Sequence, residues 1–187
     1  MSITKIDRDS ALVVVDMQKG ILAMAPSAEV AGAVGKTAEL ANTFRELKLP
    51  VIWVCSLGLP KGRVEFSLPA TTPPSDFAEF HEDLPVRDGD LKISKRATSA
   101  FVSQDLRAHL KDHGTTNVIV AGIALAIGVE STVRDGFDAG YSMTVAIDAT
   151  IDPMPGRAEA ALKFTLPMLC EAGDTAEIVS ALRNAQA

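Results

Sequence analysis

The chain has 187 residues and a formal net charge of −6; 47% of its residues are hydrophobic and 22% are charged. This composition is typical of a folded globular protein and excludes a disordered chain. The negative charge argues against a nucleic-acid or anionic-membrane partner. No apolar run approaches the roughly 20 residues that span a bilayer, and the N-terminus lacks the apolar region of a signal peptide. We therefore expect a single cytoplasmic domain covering residues 1–187.

Few residues of the sequence favour a metal site or a disulfide. Two cysteines, Cys55 and Cys170, are too few for a disulfide framework or a zinc site, and both are expected to be small apolar core residues. His109 and His113 have a spacing that can bind metal on a helix. No acidic or histidine partner is arranged near them in sequence, so we expect them at the surface. No metal and no other cofactor is predicted.

The first elements predicted along the chain are a strand, a helix and a second strand. The apolar, β-branched run Ala11–Val15 predicts a strand that stops at Asp16. Ser27 can cap a helix that runs to about Lys48 and carries an inward apolar stripe. The second strand is predicted at Val51–Cys55. At the end of the first strand, Asp16 is either a turn or cap residue or a catalytic carboxylate.

The segment covering about residues 56–90 is the least regular part of the sequence. It is rich in proline and glycine and shows no clear periodicity, which is typical of a lid, a binding loop or an oligomer contact. Phe66, Phe77 and Phe80 could close over a ligand, or could simply pack the segment against the core.

The second half of the sequence again alternates strands with helices. Predicted strands are Leu91–Ser94, Val118–Ala121, Ser142–Ile147 and a short edge strand at Leu169–Ala172. Predicted helices are Gln104–His113 capped by Ser103, one from Gly128 through Phe137, one from Asp152 to about Met168, and Thr175–Arg183. This alternation predicts an α/β fold, a three-layer α/β/α sandwich around a parallel sheet of five or six strands.

Three positions converge on the carboxyl ends of the predicted strands. Asp16 follows the first strand, Lys95 follows the strand Leu91–Ser94, and Gly128 starts the helix after Val118–Ala121. Ligands of open parallel sheets bind at this edge, and the N-terminus of a helix adds unpaired backbone N–H groups. A binding or catalytic site is therefore expected there.

These positions lie in stretches that resemble the motifs of the isochorismatase-like (cysteine hydrolase) superfamily, and the resemblance covers nearly the whole chain. The motifs are Asp16-Met-Gln18, Lys95-Arg-x-x-Ser-Ala-Phe101, and G-I-A-x-x-I-G-V-E-S-T-x-R from Gly122 to Arg134. The resemblance implies a Rossmann-like fold, a homo-oligomer and a small-molecule substrate. It also implies that Asp16 and Lys95 are catalytic and that Gly128 stands where most relatives have the nucleophilic cysteine.

The resemblance further implies how the site is lined. It places a cis peptide bond at Ile123–Ala124, an oxyanion held by the amides of Ala124 and Gly128, and a substrate pocket that includes Gln18, Phe101 and Ile127. The family's metal-dependent nicotinamidases carry an Asp-x-His pair after the second strand. This chain has Ser56-Leu57-Gly58 there, so no zinc is expected.

The missing thiol at Gly128 separates three hypotheses of function. Glycine cannot be a nucleophile. Isochorismatases, which hydrolyse a vinyl ether, also have Ile-Gly at this position; there the Asp is a general acid and water captures the oxocarbenium ion. This chain departs from that branch by having Ala124-Leu125-Ala126 in place of Tyr-Ala-His.

The first hypothesis is a thiol-free hydrolase of a small anionic or carbonyl-bearing metabolite that uses Asp16 and Lys95. The second is an amide hydrolase that recruits Cys55 or an activated water. The third is a non-catalytic binding protein on the same fold.

Overall fold

One parallel sheet organises the molecule. A computed structural model describes residues 2–66 and 72–187 of the chain. Its six strands lie in the order β3-β2-β1-β4-β5-β6. Their bounds are β1 Ser10–Val15, β2 Val51–Ser56, β3 Leu91–Lys95, β4 Asn117–Ile123, β5 Ser142–Ile151 and β6 Glu171–Gly173. All the pairings are parallel, which confirms the predicted α/β sheet.

Helices cover both faces of this sheet. They are α1 Lys19–Leu22, α2 Ser27–Glu46, α3 Gln104–Asp112, α4 Glu130–Asp138, α5 Arg157–Ala160 and α6 Thr175–Gln186. Shorter helical turns occupy Ala100–Val102, Leu125–Val129, Ala161–Thr165 and Leu166–Met168. The sheet and its two helical layers form the expected three-layer sandwich.

The central strand β1 is buried on both faces, because alternate side chains of a strand point to opposite sides of the sheet. Leu12 and Val14 join a core cluster that contains residues of α2 and α6. Val13 and Val15 join the opposite cluster, which contains residues of α3 and α4. The strand can therefore be apolar throughout, as its sequence is, and it ends where Asp16 emerges between the two layers.

Strand β4 approaches β1 very closely at Gly122. This glycine has a φ of +134°, and a Cβ there would lie only 2.0 Å from the carbonyl oxygen of Val15. The pairing of β4 with β5 is irregular between Val120 and Gly122. Strand β5 continues to Ile151, four residues beyond the predicted end at Ile147.

Two local predictions at helix and strand ends were wrong. Ser27 is the first residue of α2 and makes no capping hydrogen bond; Pro26 precedes it at the cap position. The edge strand at the end of the chain is shorter and later than predicted, at Glu171–Gly173. Ser103 does cap α3, accepting a hydrogen bond from the amide of Leu106 at 3.3 Å.

The irregular segment predicted at about residues 56–90 has a packed part and an exposed part, while residues 67–71 lie outside the described residues. Residues 72–90 are fastened to the start of α1, where the amide of Lys19 donates to the carbonyl of Glu79 at 2.8 Å. The ring of Phe77 lies against Gly20, and that of Phe80 packs against Trp53. These two aromatic side chains pack the segment, whereas Phe66 is 69% exposed.

Across the described ranges, no helix is long and apolar enough to cross a membrane.

Candidate active site

Asp16 stands directly after β1 in a left-handed backbone conformation, with a φ of +57°. Its amide still continues the sheet, donating to the carbonyl of Val54 at 2.8 Å, and its own carbonyl accepts from the amide of Gln18 at 2.7 Å. Aspartate tolerates this conformation better than most residues, but left-handed non-glycine residues are uncommon and cluster at functional sites. The turn keeps the Asp16 carboxyl at the sheet's carboxyl end.

Lys95, the last residue of β3, reaches past the end of β2 to pair with that carboxyl at the end of β1. Its Nζ lies 2.8 Å from Oδ2 of Asp16 and 3.0 Å from the carbonyl oxygen of Ala97. Only 2% of the Lys95 side chain and 7% of the Asp16 side chain are exposed to solvent. The two residues therefore form a buried ion pair.

The Asp16 carboxyl is incompletely bonded. Within the described part of the chain, its Oδ1 is buried and has no hydrogen-bond partner. Burial raises the pKa of Asp16 from 3.8 to about 6, outweighing the charge and hydrogen bond of Lys95, which lower it. Desolvation wins here because one ammonium on one oxygen offsets only part of the hydration that the carboxylate loses.

Gly128 completes the group. It lies in the turn Leu125–Val129 between β4 and α4. A Cβ built on it would stand 3.3 Å from Oδ2 of Asp16, 3.1 Å from Cγ1 of Val15 and 3.2 Å from the carbonyl oxygen of Ile123. Its φ is outside the left-handed region, so the backbone would accept a side chain after neighbours shift by a few tenths of an ångström. Asp16, Lys95 and Gly128 are thus brought together.

Three backbone amides around this turn are hydrogen-bonded, and at least one, that of Ala124, is not bonded within the described ranges. The Ile123–Ala124 peptide bond is cis. The amides of Ile127 and Val129 both donate to the carbonyl of Ala124, and the amide of Ala126 donates to Oδ2 of Asp152 at 2.9 Å. Among the described residues, the amide of Ala124 has no acceptor. It is available to a ligand oxygen.

The three residues assigned to the substrate pocket are placed differently from one another. Gln18 is fully buried; its amide group bonds the backbone of Ser56 in both directions and donates to the carbonyl of Phe77. Phe101 is also fully buried and packs against Tyr141 in the core. Neither side chain lines an open surface, because both are buried by contacts with other parts of the fold. Ile127 is partly exposed beside Gly128.

Sequence reasoning missed two residues that hold the turn, Asp152 and Thr132. The buried Thr132 hydroxyl donates to the carbonyl of Gly128 at 2.7 Å and accepts from the amide of Ala100 at 3.1 Å. It thereby joins the helix start at Gly128 to the segment that follows Lys95. A threonine four residues after Gly128, on the buried side of the helix, was the available signal.

Neither cysteine is activated. The Cys55 thiol is buried and lies 3.3 Å from the Ser94 hydroxyl. Burial, together with the adjacent Glu171, raises the pKa of the Cys170 thiol to about 12. Among the described residues, no group of three or more His, Cys, Asp or Glu side chains is arranged to hold a metal ion.

One prominent surface depression lies away from this site. It measures about 730 Å³, lies at the amino ends of β4 and β5, and is lined by charged side chains of α3 and α4. None of the site residues borders it. The site is therefore recognised by its functional groups and not by this depression. A buried, partly unbonded carboxyl, a buried ammonium and a free backbone donor lie together at the opposite end of the sheet.

Comparison with known proteins shows the family of the chain. The family model described as Isochorismatase domain matches residues 10–177. The uncharacterized isochorismatase family protein YwoC of Bacillus subtilis is 31% identical over 182 residues, which are 93% of this chain and 94% of that protein. The solved structure of an isochorismatase family protein from Burkholderia thailandensis has a TM-score of 0.87 and 34% identity, covering 97% of this chain and 100% of its own.

A local similarity extends to an amidohydrolase. The ureidoacrylate amidohydrolase RutB of Caulobacter vibrioides is 35% identical over 88 residues, which are 47% of this chain and 39% of that protein.

Proposed function

The chain belongs to the isochorismatase family, whose members are hydrolases, and from this membership we propose a hydrolase that needs no cysteine nucleophile. Asp16 is its general acid, Lys95 binds an anionic or carbonyl oxygen of the substrate, and the amide of Ala124 supplies a further donor. The substrate is a small metabolite with a carboxylate or carbonyl next to an acid-labile bond.

The observation that carries this proposal is the state of Asp16. Its Oδ1 is buried without a partner, and burial raises its pKa to about 6. A general acid needs a pKa near the working pH, because it must hold a proton and still release it to the substrate. An ordinary aspartate, with a pKa near 3.9, would be almost wholly ionised there.

The reaction that suits such an acid is hydrolysis of a vinyl ether. The proton of Asp16 adds to the terminal vinyl carbon and gives an oxocarbenium ion. Water then adds to the cationic carbon, and its proton returns to the Asp16 carboxylate. The resulting hemiketal breaks its carbon–oxygen bond to release an alcohol and a carbonyl compound. No covalent bond to the protein is required, so glycine is acceptable at position 128.

Lys95 has one donor left for the substrate. An ammonium carries three N–H bonds. Two are used, by Oδ2 of Asp16 and the carbonyl of Ala97. When Asp16 is protonated, the charge of Lys95 is no longer neutralised, so the acid-competent form of the site is also the form that attracts an anion.

A second candidate is amide hydrolysis, favoured by the free amide of Ala124 and by the local similarity to RutB. In this reaction the Asp16 carboxylate would activate a water molecule, and the oxyanion would bind the amide of Ala124. The route through Cys55 has no support from its buried, hydrogen-bonded thiol. The direction of the pH dependence distinguishes the two reactions, since an acid must be protonated and a base must not.

Self-association is part of the same proposal. Large hydrophobic side chains are exposed in the segments that follow β2, β3, β4 and β5, and a second copy of the chain would cover some of them. These side chains include Leu57, Leu59, Val64, Phe66, Val102, Ile127, Met154 and Phe164. Light scattering at micromolar concentration should give a multiple of the chain mass of 19.7 kDa. A monomeric mass would contradict this part.

A screen of small anionic vinyl ethers, esters and amides tests the hydrolase directly. The intact protein should turn over at least one class, and Asp16→Asn should lose that turnover while binding the same compound. If no class is hydrolysed, and a carboxylate compound binds equally to both proteins, the non-catalytic binder replaces the enzyme.

A further inference from the structure

Asp152 is a buried carboxylate that the proposed reaction does not use. It follows the last residue of β5, at the same end of the sheet as Asp16 and Lys95. Its side chain is 0% exposed, and its partner Arg157 is 30% exposed. A carboxylate that loses all contact with water needs several hydrogen-bond or ion-pair partners. The identity of these partners indicates which part of the structure the carboxylate stabilises.

Those contacts fall into a local set and a distant one. Locally, Oδ1 accepts from the amide of Met154 at 3.1 Å, and the guanidinium of Arg157 lies 3.3 Å from both carboxylate oxygens. The distant contact is the amide of Ala126, which donates to Oδ2 at 2.9 Å from 26 residues earlier in the chain. A turn-forming aspartate explains only the local set.

We infer that Asp152 is a positioning residue for the site. This inference rests on the proposed function, because the turn that Asp152 holds directly follows Ala124, whose amide is the backbone donor assigned above. Ala126 lies between Ala124, whose amide is free, and Gly128, which faces Asp16. By taking the amide of Ala126, the carboxylate fixes the direction of the whole turn Leu125–Val129. The guanidinium of Arg157 lies against that acceptor and balances its charge.

Asp148 is a matched control on the same strand. Its Oδ1 accepts from the amide and the hydroxyl of Thr175, at 2.8 and 2.7 Å. These bonds hold the first residue of α6, and none of them involves the turn at Gly128. Asp148 and Asp152 are therefore two bonded carboxylates of β5 and its end, of which only one is bonded to the site.

The experiment uses a reporter that needs no substrate. Gly128→Cys introduces a thiol at the start of the helix. The Cβ of this residue would lie 3.3 Å from Oδ2 of Asp16. Helix N-termini lower thiol pKa values, and the effect depends on the alignment of the terminal amides. The thiol pKa is measured by the ultraviolet absorbance of the thiolate, as a difference from the parent protein, and the rate of iodoacetamide alkylation is measured by peptide mapping.

In that background, Asp152→Ala should raise the thiol pKa by about half a unit, the size of a helix-terminus effect. It should also slow alkylation about tenfold, because small displacements of reacting groups carry large rate penalties. Asp152→Asn keeps an acceptor for Ala126 and should restore both values. Asp148→Ala should lower the melting temperature and leave both thiol values unchanged.

Two results would overturn the inference. One is a thiol pKa and rate unchanged by Asp152→Ala; the other is an equal change in Asp148→Ala, which would indicate general loosening. If Asp152→Ala does not fold, Asp152→Glu replaces it, because glutamate keeps the charge but displaces the acceptor. The thiol pKa must then rise in Asp152→Glu, as expected for the alanine variant. The reporter is independent of turnover, so a failed substrate screen with the expected thiol response rejects only the hydrolase.

Discussion

Two ion pairs of this molecule, one part-buried and one buried, are bonded very differently. At the amino end of β3, Oδ2 of Asp90 accepts from Arg45, from the indole nitrogen of Trp53 at 2.7 Å and from the amide of Arg87 at 2.8 Å. At the carboxyl end of β1, Asp16 has a single partner, Lys95, and its Oδ1 has none among the described residues.

This difference distinguishes a carboxylate that stabilises the fold from one that can exchange a proton with a substrate. Hydrogen bonds to a carboxylate favour its charged form, and burial without them favours the neutral form. Asp90 holds α2, β2 and the segment before β3 together through its three donors. Asp16 is buried and lacks such partners, so its free oxygen is open to a proton, a water molecule or a ligand.

Removing each carboxyl in turn gives the largest expected contrast. Asp16→Asn should reduce kcat about a thousandfold or more, because it deletes the general acid. Asp90→Asn should leave kcat within about twofold but lower the free energy of unfolding by about 2 kcal/mol, since it weakens charge-assisted bonds to three donors. Kinetics and urea unfolding of both variants provide the measurement. Equal kinetic losses would remove the distinction between the two pairs.

The pH dependence of turnover sharpens the same contrast. With a pKa raised to about 6, Asp16 as general acid makes kcat fall about tenfold per pH unit above that value. Lys95 lowers the pKa of Asp16, so Lys95→Met should move the midpoint of this fall to higher pH while weakening anion binding. A profile that rises through pH 6 would instead assign Asp16 the role of base and favour amide hydrolysis.

The free energy of unfolding should also depend on the titration of Asp16, with a smaller effect than that on turnover. Because the folded-state pKa of Asp16 is raised, the native protein holds a proton that the unfolded chain has released, so stability falls as pH rises. At about 1.4 kcal/mol per pKa unit, the change between 3.8 and about 6 is worth about 3 kcal/mol.

The free energy of unfolding of the parent, minus that of Asp16→Asn, should therefore drop between about pH 4 and pH 6 and be level above about pH 7. A difference that grows with pH in this range would mean that the ion pair lowers the pKa of Asp16 instead.

Much of this arrangement could be predicted from the sequence, for physical reasons. The β-branched apolar run Ala11–Val15 has no stable place except a strand buried on both faces, and parallel strands bring their carboxyl ends to one edge. That rule alone places Asp16, Lys95 and the start of the helix at Gly128 near one another.

Other features depend on contacts that no local pattern specifies. One such contact is the approach of β4 to β1 at Gly122, where a backbone oxygen leaves no room for a Cβ. Another is the irregular pairing of β4 with β5 between Val120 and Gly122. Gln18 and Phe101 were assigned to the pocket, but distant partners bury both. The missing partner of Asp16 Oδ1 is a property of the assembled fold and has no sequence signal of its own.

The most direct test of the account is an NMR titration of the Asp16 carboxyl carbon in ¹³C-labelled protein, with Asp16→Asn identifying the signal. We expect a pKa near 6 for Asp16, rising further in Lys95→Met, because burial outweighs the single ammonium. A pKa below about 4, the ordinary range of aspartate, would show a permanently ionised carboxylate and would contradict the assignment of Asp16 as the acid.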